Sequence, residues 1–507
     1  MRFQAVDKVN SLFHFLWYKS IREFDKIKAW NKLERCTMLT KDDKKQSKLE
    51  MVNIEDLVDK DHVLRKLDNY IDFSFIYEKV TPLYCLNNGR PSLDPVMLFK
   101  MMFLGYIFGI RSERRLVDEI KHNIAYRWFV GLGLTDEVPH HSTFSQNRRR
   151  RFSSSSIFQD IFDEIVIQAI DSDLVDGSEL FSDSTHIKAN ANKKKFIKEA
   201  INKDTKLYME ELDEAVEADR IKHGKKPLKI KMRRMISKTT RISRTDPDSG
   251  YMVREGKPEG FFYLNHRTVD GKHNIITDSY VTSGATHDST CYLERLDRQV
   301  ERFELNVEAV ALDSGYLTSH ICNELAKRDI FAVIAHRRFK SRNGLFPKWK
   351  FKYDEINDVY ICPDEEKLTY KTTTREGYRQ YCSDPEICQY CKRQPECTRS
   401  KKAVKVITRH VWEDAKDWVR ENRLSDYGRE LYKRRSQTIE RSFADSKELH
   451  GLRYARFRGI AKVMEQCLLT AACQNMKKIA LALSRRDKGK GLFYFLPILS
   501  KRLCFSG

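Results

Sequence analysis

Two aspartates and a glutamate in this chain stand where carboxylates can hold divalent cations. Asp183 closes the apolar run Leu180-Phe181-Ser182 and is followed by Ser184-Thr185-His186-Ile187-Lys188. Asp313 closes the run Val307 to Leu312 and is followed by Ser314-Gly315-Tyr316. Each is expected to project from a strand end, with small or polar neighbours that leave room for a metal and a phosphate. Gly315 permits a tight turn and a close backbone approach. Read as one helix, Tyr432 to Lys447 places Ser436, Glu440, Phe443 and Lys447 on a single face. Glu440 would then complete a metal site, and Lys447 would contact DNA near it. Cleavage of a phosphodiester by two divalent ions needs carboxylates that converge on metals about 3.5–4 Å apart. One ion activates the attacking oxygen and the other stabilises the leaving one. A lone aspartate after a strand often only caps the next helix, so the pairing matters more than either residue. His186 and His287 fall near expected strand ends and could approach the metals, although local hydrogen bonding is the commoner role of such histidines.

Cys382, Cys388, Cys391 and Cys397 form a C-x5-C-x2-C-x5-C pattern. A Cys-x-x-Cys pair flanked by two further cysteines matches tetrahedral Zn²⁺ ligation, and Cys362 upstream could replace one ligand. The alternative is unliganded thiols in an inserted loop. Cys467 and Cys473 lie in an apolar helical run and read as core residues.

The elements that must position these groups change character along the chain. Residues 1–50 read as an N-terminal extension. Residues 51–152 read as helices: a break and helix start at Pro91 to Pro95, a core helix from Val96, and an N-cap at Ser112. A further helix carries Arg148, Arg149, Arg150 and Arg151. Short helices ending in an arginine run suit an all-α DNA-binding domain. From 171 to 483 the order is strand, insert, two strands joined at Asp270-Gly271, helix, strand, helix. That order predicts an α/β catalytic core with a ribonuclease H-like mixed sheet. Residues 188–260 read as a basic insert, helical or loop-like, and 355–405 as a cysteine-rich insert. Residues 484–507 form a C-terminal tail.

The chain has 507 residues, and 93 Lys+Arg against 72 Asp+Glu give a net charge of +21. The excess recurs along the chain instead of sitting in one tail, which favours a long polyanion such as nucleic acid. Val96 to Ile110 carries Lys100 and is too short to span a bilayer. No segment has the form of a secretory leader. A cytoplasmic, nucleoid-associated protein with no membrane partner follows, and its twelve cysteines are expected as reduced thiols or metal ligands.

The motifs around Asp183, around Asp313 and from Arg435 to Arg441 together closely resemble bacterial insertion-sequence transposases of the Asp-Asp-Glu class, nearest the family numbered eleven eighty-two. Gly89 to Pro95, Arg111 to Arg114 and Arg127 to Leu132 resemble that group's helical N-terminal domain. The resemblance spans roughly Ile54 to Leu483. It implies a ribonuclease H-like core, Mg²⁺ (or Mn²⁺) as cofactor, and catalytic roles for Asp183, Asp313 and Glu440. Related enzymes carry a Tyr, Arg, Glu, Lys signature, which Tyr432, Arg435, Glu440 and Lys447 resemble as DNA contacts. The arginine is displaced by one position, since Ser436 stands where it is expected. On a continuous helix Arg435 would lie about 140° from Glu440, so Arg434 or Arg441 could take its role.

The function expected is to bind double-stranded DNA at the ends of the element, cut there, and join the freed 3′-OH to target DNA. Two ends must meet, so a homodimer or higher oligomer is expected on DNA. The alternatives are a catalytically inactive or host-adopted DNA-binding regulator, and a ribonuclease H-like nuclease without strand transfer.

Overall fold

The structure is a computed structural model that describes residues 51–85, 92–153, 155–202, 209–228, 237–253, 259–336 and 344–489. The expected extension at 1–50, apart from its boundary, and the end of the expected tail lie outside the described residues. The site depends on a mixed sheet. Its centre is β1 (Glu179–Lys188), which pairs antiparallel with β5 (Gly260–Asp270) and parallel with β7 (Ala309–Leu312). β6 (Ile276–Ser283) lies antiparallel to β5, and β8 (Phe331–Ile334) parallel to β7. β7 and β8 are four-residue runs, Ala-Val-Ala-Leu and Phe-Ala-Val-Ile, almost wholly buried. Continuous apolar runs of this kind belong to parallel strands covered on both faces.

The expected insert between β1 and β5 is not a helical arm or loop alone. It adds β2 (Phe196–Asn202), β3 (Ser237–Ser243) and β4 (Gly250–Met252) to the sheet, and β4 joins it to β5. The strand period escaped notice because β3 has a single large apolar residue, Ile242, and β2 interrupts its apolar positions with Lys198 and Glu199. Charged residues are what an edge strand uses to discourage further pairing.

Among the described residues seven α-helices precede the sheet: α1 (Val63–Tyr70), α2 (Phe75–Val80), α3 (Pro95–Ile107), α4 (Glu113–His122), α5 (Ile124–Val130), α6 (Ser142–Asn147) and α7 (Ile157–Asp171). Asp94 caps α3 by accepting from the amides of Val96 and Met97, with Pro95 in the first turn. Ser112 caps α4, as its position predicts. Later helices are α8 (Met209–Lys222) in the first insert, then α9 (Tyr292–Phe303) and α10 (Ser319–Lys327) as crossovers into β7 and β8. The second insert is an antiparallel meander: β9 (Lys352–Asp354), β10 (Val359–Ile361), β11 (Lys367–Thr373), β12 (Tyr378–Ser383) and β13 (Val406–His410). Two short turns of helix, α11 (Pro385–Cys388) and α12 (Gln394–Cys397), interrupt it. Then follow α13 (Glu413–Leu424), α14 (Asp426–Arg434), α15 (Ile439–Glu448) and α16 (Ile460–Gly489). Among the described residues no helix is long and apolar enough to cross a membrane.

One hydrophobic core runs from Leu64 in α1 through the strands to Ala480 in α16. The N-terminal helices therefore share their interior with the sheet, and α16 is the element they share. Cys473 of α16 is buried in it, and Cys467 in a second cluster with Ile187, Tyr263 and Val281, as expected of core thiols.

Arg267 joins these layers. Its side chain leaves β5 fully buried, and its Nη1 donates to Ser442 Oγ at 2.9 Å and Ser446 Oγ at 2.8 Å in α15, and to Gln474 Oε1 at 3.2 Å in α16. The guanidinium also lies 4.8 Å from the ring centroid of Phe443. Arg267 forms no ion pair among the described residues. Burial brings its pKa down to about 10, so the charge is retained at neutral pH and must be solvated by these hydroxyl and amide oxygens. Hydrogen bonds to a charged group contribute roughly 1.5–3 kcal/mol each. Arg267→Ala would remove them and leave a hole beneath α15. We expect a loss of about 3 kcal/mol or more in urea unfolding, and a loss below about 1 kcal/mol would show that α15 is held by other contacts.

Candidate active site

Asp183 and Asp313 come together through strand register. Ser182 of β1 is the partner of Leu312, the last residue of β7. The next residue on each strand is the aspartate, so the two carboxylates stand side by side on parallel strands about 4.8 Å apart. Asp313 does end its strand. Asp183 does not: β1 continues to Lys188, because β5 keeps pairing with it as far as Lys188–Phe262. Where β7 stops, β1 carries on with that edge open from Asp183 until Lys188, which bridges to Tyr454. That opening lies at the carboxyl end of parallel strands, the usual place for a ligand in an α/β sheet.

Asp183 is a carboxylate under tension. Burial raises its pKa to about 6, and Asp313 and Asp288 push the same way. Arg435 and the Ser184 amide oppose the rise. Arg435 Nη2 donates to Asp183 Oδ2 at 2.8 Å, and the Ser184 N–H donates to Oδ1 at 2.7 Å. Burial outweighs the guanidinium, since the net shift is upward.

Asp288 is the group that sequence reasoning missed. It accepts from Ser184 Oγ at 2.7 Å, and a Cβ placed on Gly315 would meet its Oδ2 at 2.9 Å. Gly315 is thus needed for the close approach of a carboxylate to the turn after Asp313. The signal was one residue away, in His287. That histidine is exposed and bonds Ser289 Oγ at 2.7 Å, while its neighbour faces the site. His186 lies on β1 with its ring edge-to-face against Phe262 at 6.0 Å.

The helix expected from Tyr432 to Lys447 is broken. α14 ends at Arg434, the chain turns through 435–438, and α15 begins at Ile439. Arg435 is consequently turned inward, 3% exposed, onto Asp183 and over the ring of Tyr432 at 5.3 Å. The angle drawn from a continuous helix does not apply. Glu440 is in the first turn of α15 and exposed, with no side-chain hydrogen bond or ion pair among the described residues. Its amide donates to the carbonyl of Arg435 at 3.1 Å, which ties this turn to the residue on Asp183. Lys447, two turns along the same face, donates to Thr185 Oγ1 at 2.7 Å. That face of α15 therefore overlooks the open stretch of β1.

The arginine run divides. Arg148 is not available to DNA: its guanidinium is paired with Glu113 and Glu465 and lies over Phe457 at 4.9 Å. Arg151 lies 4.3 Å from the ring centroid of Tyr84. Arg149 and Arg150 are exposed. Other cations form a basic cleft of 540 Å³ at the end of β1, lined by Arg111, Lys188, Asn190, Tyr454 and Arg456. Arg111 and Lys188 approach the Tyr454 ring at 5.2 and 5.8 Å. Elsewhere, Glu211 of α8 gathers with His320 and Glu324 of α10. Lys327 Nζ stands 2.7 Å from Glu324 and 3.7 Å from Glu211 and already supplies a cation there.

The expected zinc ligands are not all together. Tyr381 is in the small core of the second insert, and side chains alternate along a strand. Its neighbour Cys382 is thereby directed to the other face of β12, away from the core against which Cys362 and Cys397 pack.

Comparison with known proteins gives two family matches. Residues 52–150 match a model described as a transposase domain, and residues 361–480 match a transposase DDE domain. The first covers α1 to α6, and the second covers Glu440 but neither aspartate. Both matches are to transposase domains. Among solved structures, piggyBac transposase in a synaptic complex with hairpin DNA aligns over 87% of this chain and 82% of that one, at 8% identity and a TM-score of 0.31. No curated protein matches the chain.

The raised Asp183 pKa has a measurable sign. A carboxyl held near 6 in the folded state, against about 3.9 unfolded, contributes stability that is present below about pH 4 and lost as pH rises through about 6. Asp183→Asn abolishes that loss. Without added divalent ions, the melting temperature of the variant relative to wild type should rise between about pH 4 and 7. A flat difference would mean that Asp183 is not raised.

Proposed function

We propose that this chain is an insertion-sequence DNA transposase of the Asp-Asp-Glu class, in which Asp183, Asp313 and Glu440 form the catalytic set on a ribonuclease H-like core. The observation that carries the reading is the pairing of Asp183 with Asp313 where β7 stops, in a chain with transposase-domain matches on both sides. The spatial order β6-β5-β1-β7-β8, with β7 and β8 reached by helical crossovers, supports the fold. The ends of an insertion sequence of the family numbered eleven eighty-two are the expected substrate, bound by a dimer or higher assembly.

The residues present fit divalent cations. Asp183 is destabilised as an anion by burial and by two neighbouring carboxylates, an environment that a cation relieves. Mg²⁺ or Mn²⁺ held there would activate an attacking oxygen and neutralise a leaving one. The chain's own groups do the rest. Asp183 and Asp313 are fixed by strand register, and Glu440 would be brought to them from a helix anchored by Arg267. Arg435 keeps a positive charge against Asp183, with the ring of Tyr432 beside its guanidinium. Lys447 adds a cation along the open edge of β1. The basic cleft at Arg111, Lys188 and Arg456 carries the strand away from the site, and exposed Arg149 and Arg150 hold the flanking duplex. Cleavage at the element end frees a 3′-OH, which displaces the target phosphodiester in a second in-line step.

The test is a cleavage assay on element-end DNA beside a gel shift. Asp183→Asn and Asp313→Asn should each slow cleavage by at least about a thousandfold, roughly 4 kcal/mol of barrier, with end binding retained. Cutting at the wild-type rate would overturn the catalytic assignment. A wild-type protein that shifts DNA without cutting would instead be a DNA-binding regulator. Replacing both Arg149 and Arg150 with alanine should weaken binding across sequences and lower the slope of log affinity against log salt by about 2, near 1 per lost phosphate contact. An unchanged slope would remove these two from the interface.

A further inference from the structure

We infer that Cys362, Cys388, Cys391 and Cys397 form a structural tetrathiolate Zn²⁺ site, and that Cys382 is not a ligand. The inference is independent of the catalytic reading, because it concerns the second insert alone.

Three observations carry it. First, these four cysteines, and not Cys382, line one small cavity of 30 Å³ between β10 and the α11–α12 turns. As they stand, no three of the four sulfurs lie within 4.8 Å of one another, so binding would draw them together. Second, two of the four sulfurs sit in amide knuckles. The Asp364 N–H donates to Cys362 Sγ at 3.3 Å, and the Arg393 N–H bonds the sulfur of Cys391. Both are amides two residues beyond the cysteine. Such bonds stabilise a sulfur that carries negative charge and orient it for a metal. Third, the surroundings are charged to match. Four thiols that bind Zn²⁺ release their protons to solvent and leave a net charge of about −2. Lys405 lines the same cavity, and its Nζ donates to the Cys397 carbonyl at 2.7 Å. Arg393 stands 3.4 Å from Asp364, the acceptor of the Cys391 S–H.

The ligand order also makes sense of the fold. Cys362 directly follows β10, while the other three lie in the excursion between β12 and β13. A metal shared between them would pin that excursion to the far side of the meander, whose own core is only five buried side chains, Phe351, Tyr360, Leu368, Tyr381 and Ile407. A core of that size needs a staple. Cys382, on β12, would tie the excursion only to the strand from which it starts.

Metal analysis of the purified full chain should find about one zinc per chain. Cys382→Ser should keep it, and Cys362→Ser should lose most of it. Co²⁺ taken up in place of zinc should give the intense visible bands of tetrahedral thiolate ligation. Because Cys362→Ser could misfold, alkylation mapped by mass spectrometry on the wild-type, metal-loaded chain gives a second reading. Cys362, Cys388, Cys391 and Cys397 should be protected and Cys382 modified, and all five should react after chelation in denaturant. Loss of zinc in Cys382→Ser, protection of Cys382 with modification of Cys362, or no bound zinc would each overturn the proposal, and bound iron would overturn the metal assigned.

Discussion

A single buried guanidinium holds the working parts of this molecule in register. Arg267 issues from the strand opposite Asp183 and ends among the hydroxyls of Ser442 and Ser446 and the amide of Gln474. An uncompensated buried charge is costly, and among the described residues its relief comes from those oxygens, the Ser442 carbonyl and the ring of Phe443. α15 and α16 must therefore keep their places for Arg267 to remain solvated. The position of Glu440 follows from that requirement more than from any contact of its own, since its side chain faces outward.

The second charge balance is at Asp183. Burial and two like charges raise its carboxyl, and Arg435 offsets part of that rise. The result is a group poised near neutrality, responsive to whichever cation is nearest. Arg435 reaches it only because the chain breaks between α14 and α15. Had α14 run on, the guanidinium would have pointed along the helix surface toward solvent. The displaced arginine of the sequence motif is thus a consequence of a turn, and the turn converts an expected surface contact into an internal one.

How much of this was legible in the sequence depended on whether a residue's role was set locally. Asp183 and Asp313 could be picked out because short apolar runs precede them, and the runs became the parallel pair β1 and β7. The caps at Asp94 and Ser112 were equally local. Asp288 was not legible, because only the tertiary path of the loop after β6 brings it to Ser184. Arg148 was misread because a four-arginine run looks like a surface, and nothing nearby announces Glu465, more than three hundred residues away. β2 and β3 were hidden because polar residues break their apolar alternation. In the second insert, spacing suggested Cys382 for the fourth sulfur, but strand alternation sets the face on which each cysteine falls, and a β-meander can bring distant positions such as Cys362 closer than near ones.

The shared core has a consequence for how such a protein would measure its substrate. α16 is 30 residues long, about 45 Å of rigid rod, and it packs against the N-terminal helices and the sheet in one interior. DNA laid along that length would span about 13 base pairs at 3.4 Å each. The interval from grip to cut would then be a property of the protein, fixed like the spacing on a ruler. Insertions or deletions of whole base pairs between the two contact points would have to be absorbed by bending or twisting the DNA, with the protein unchanged.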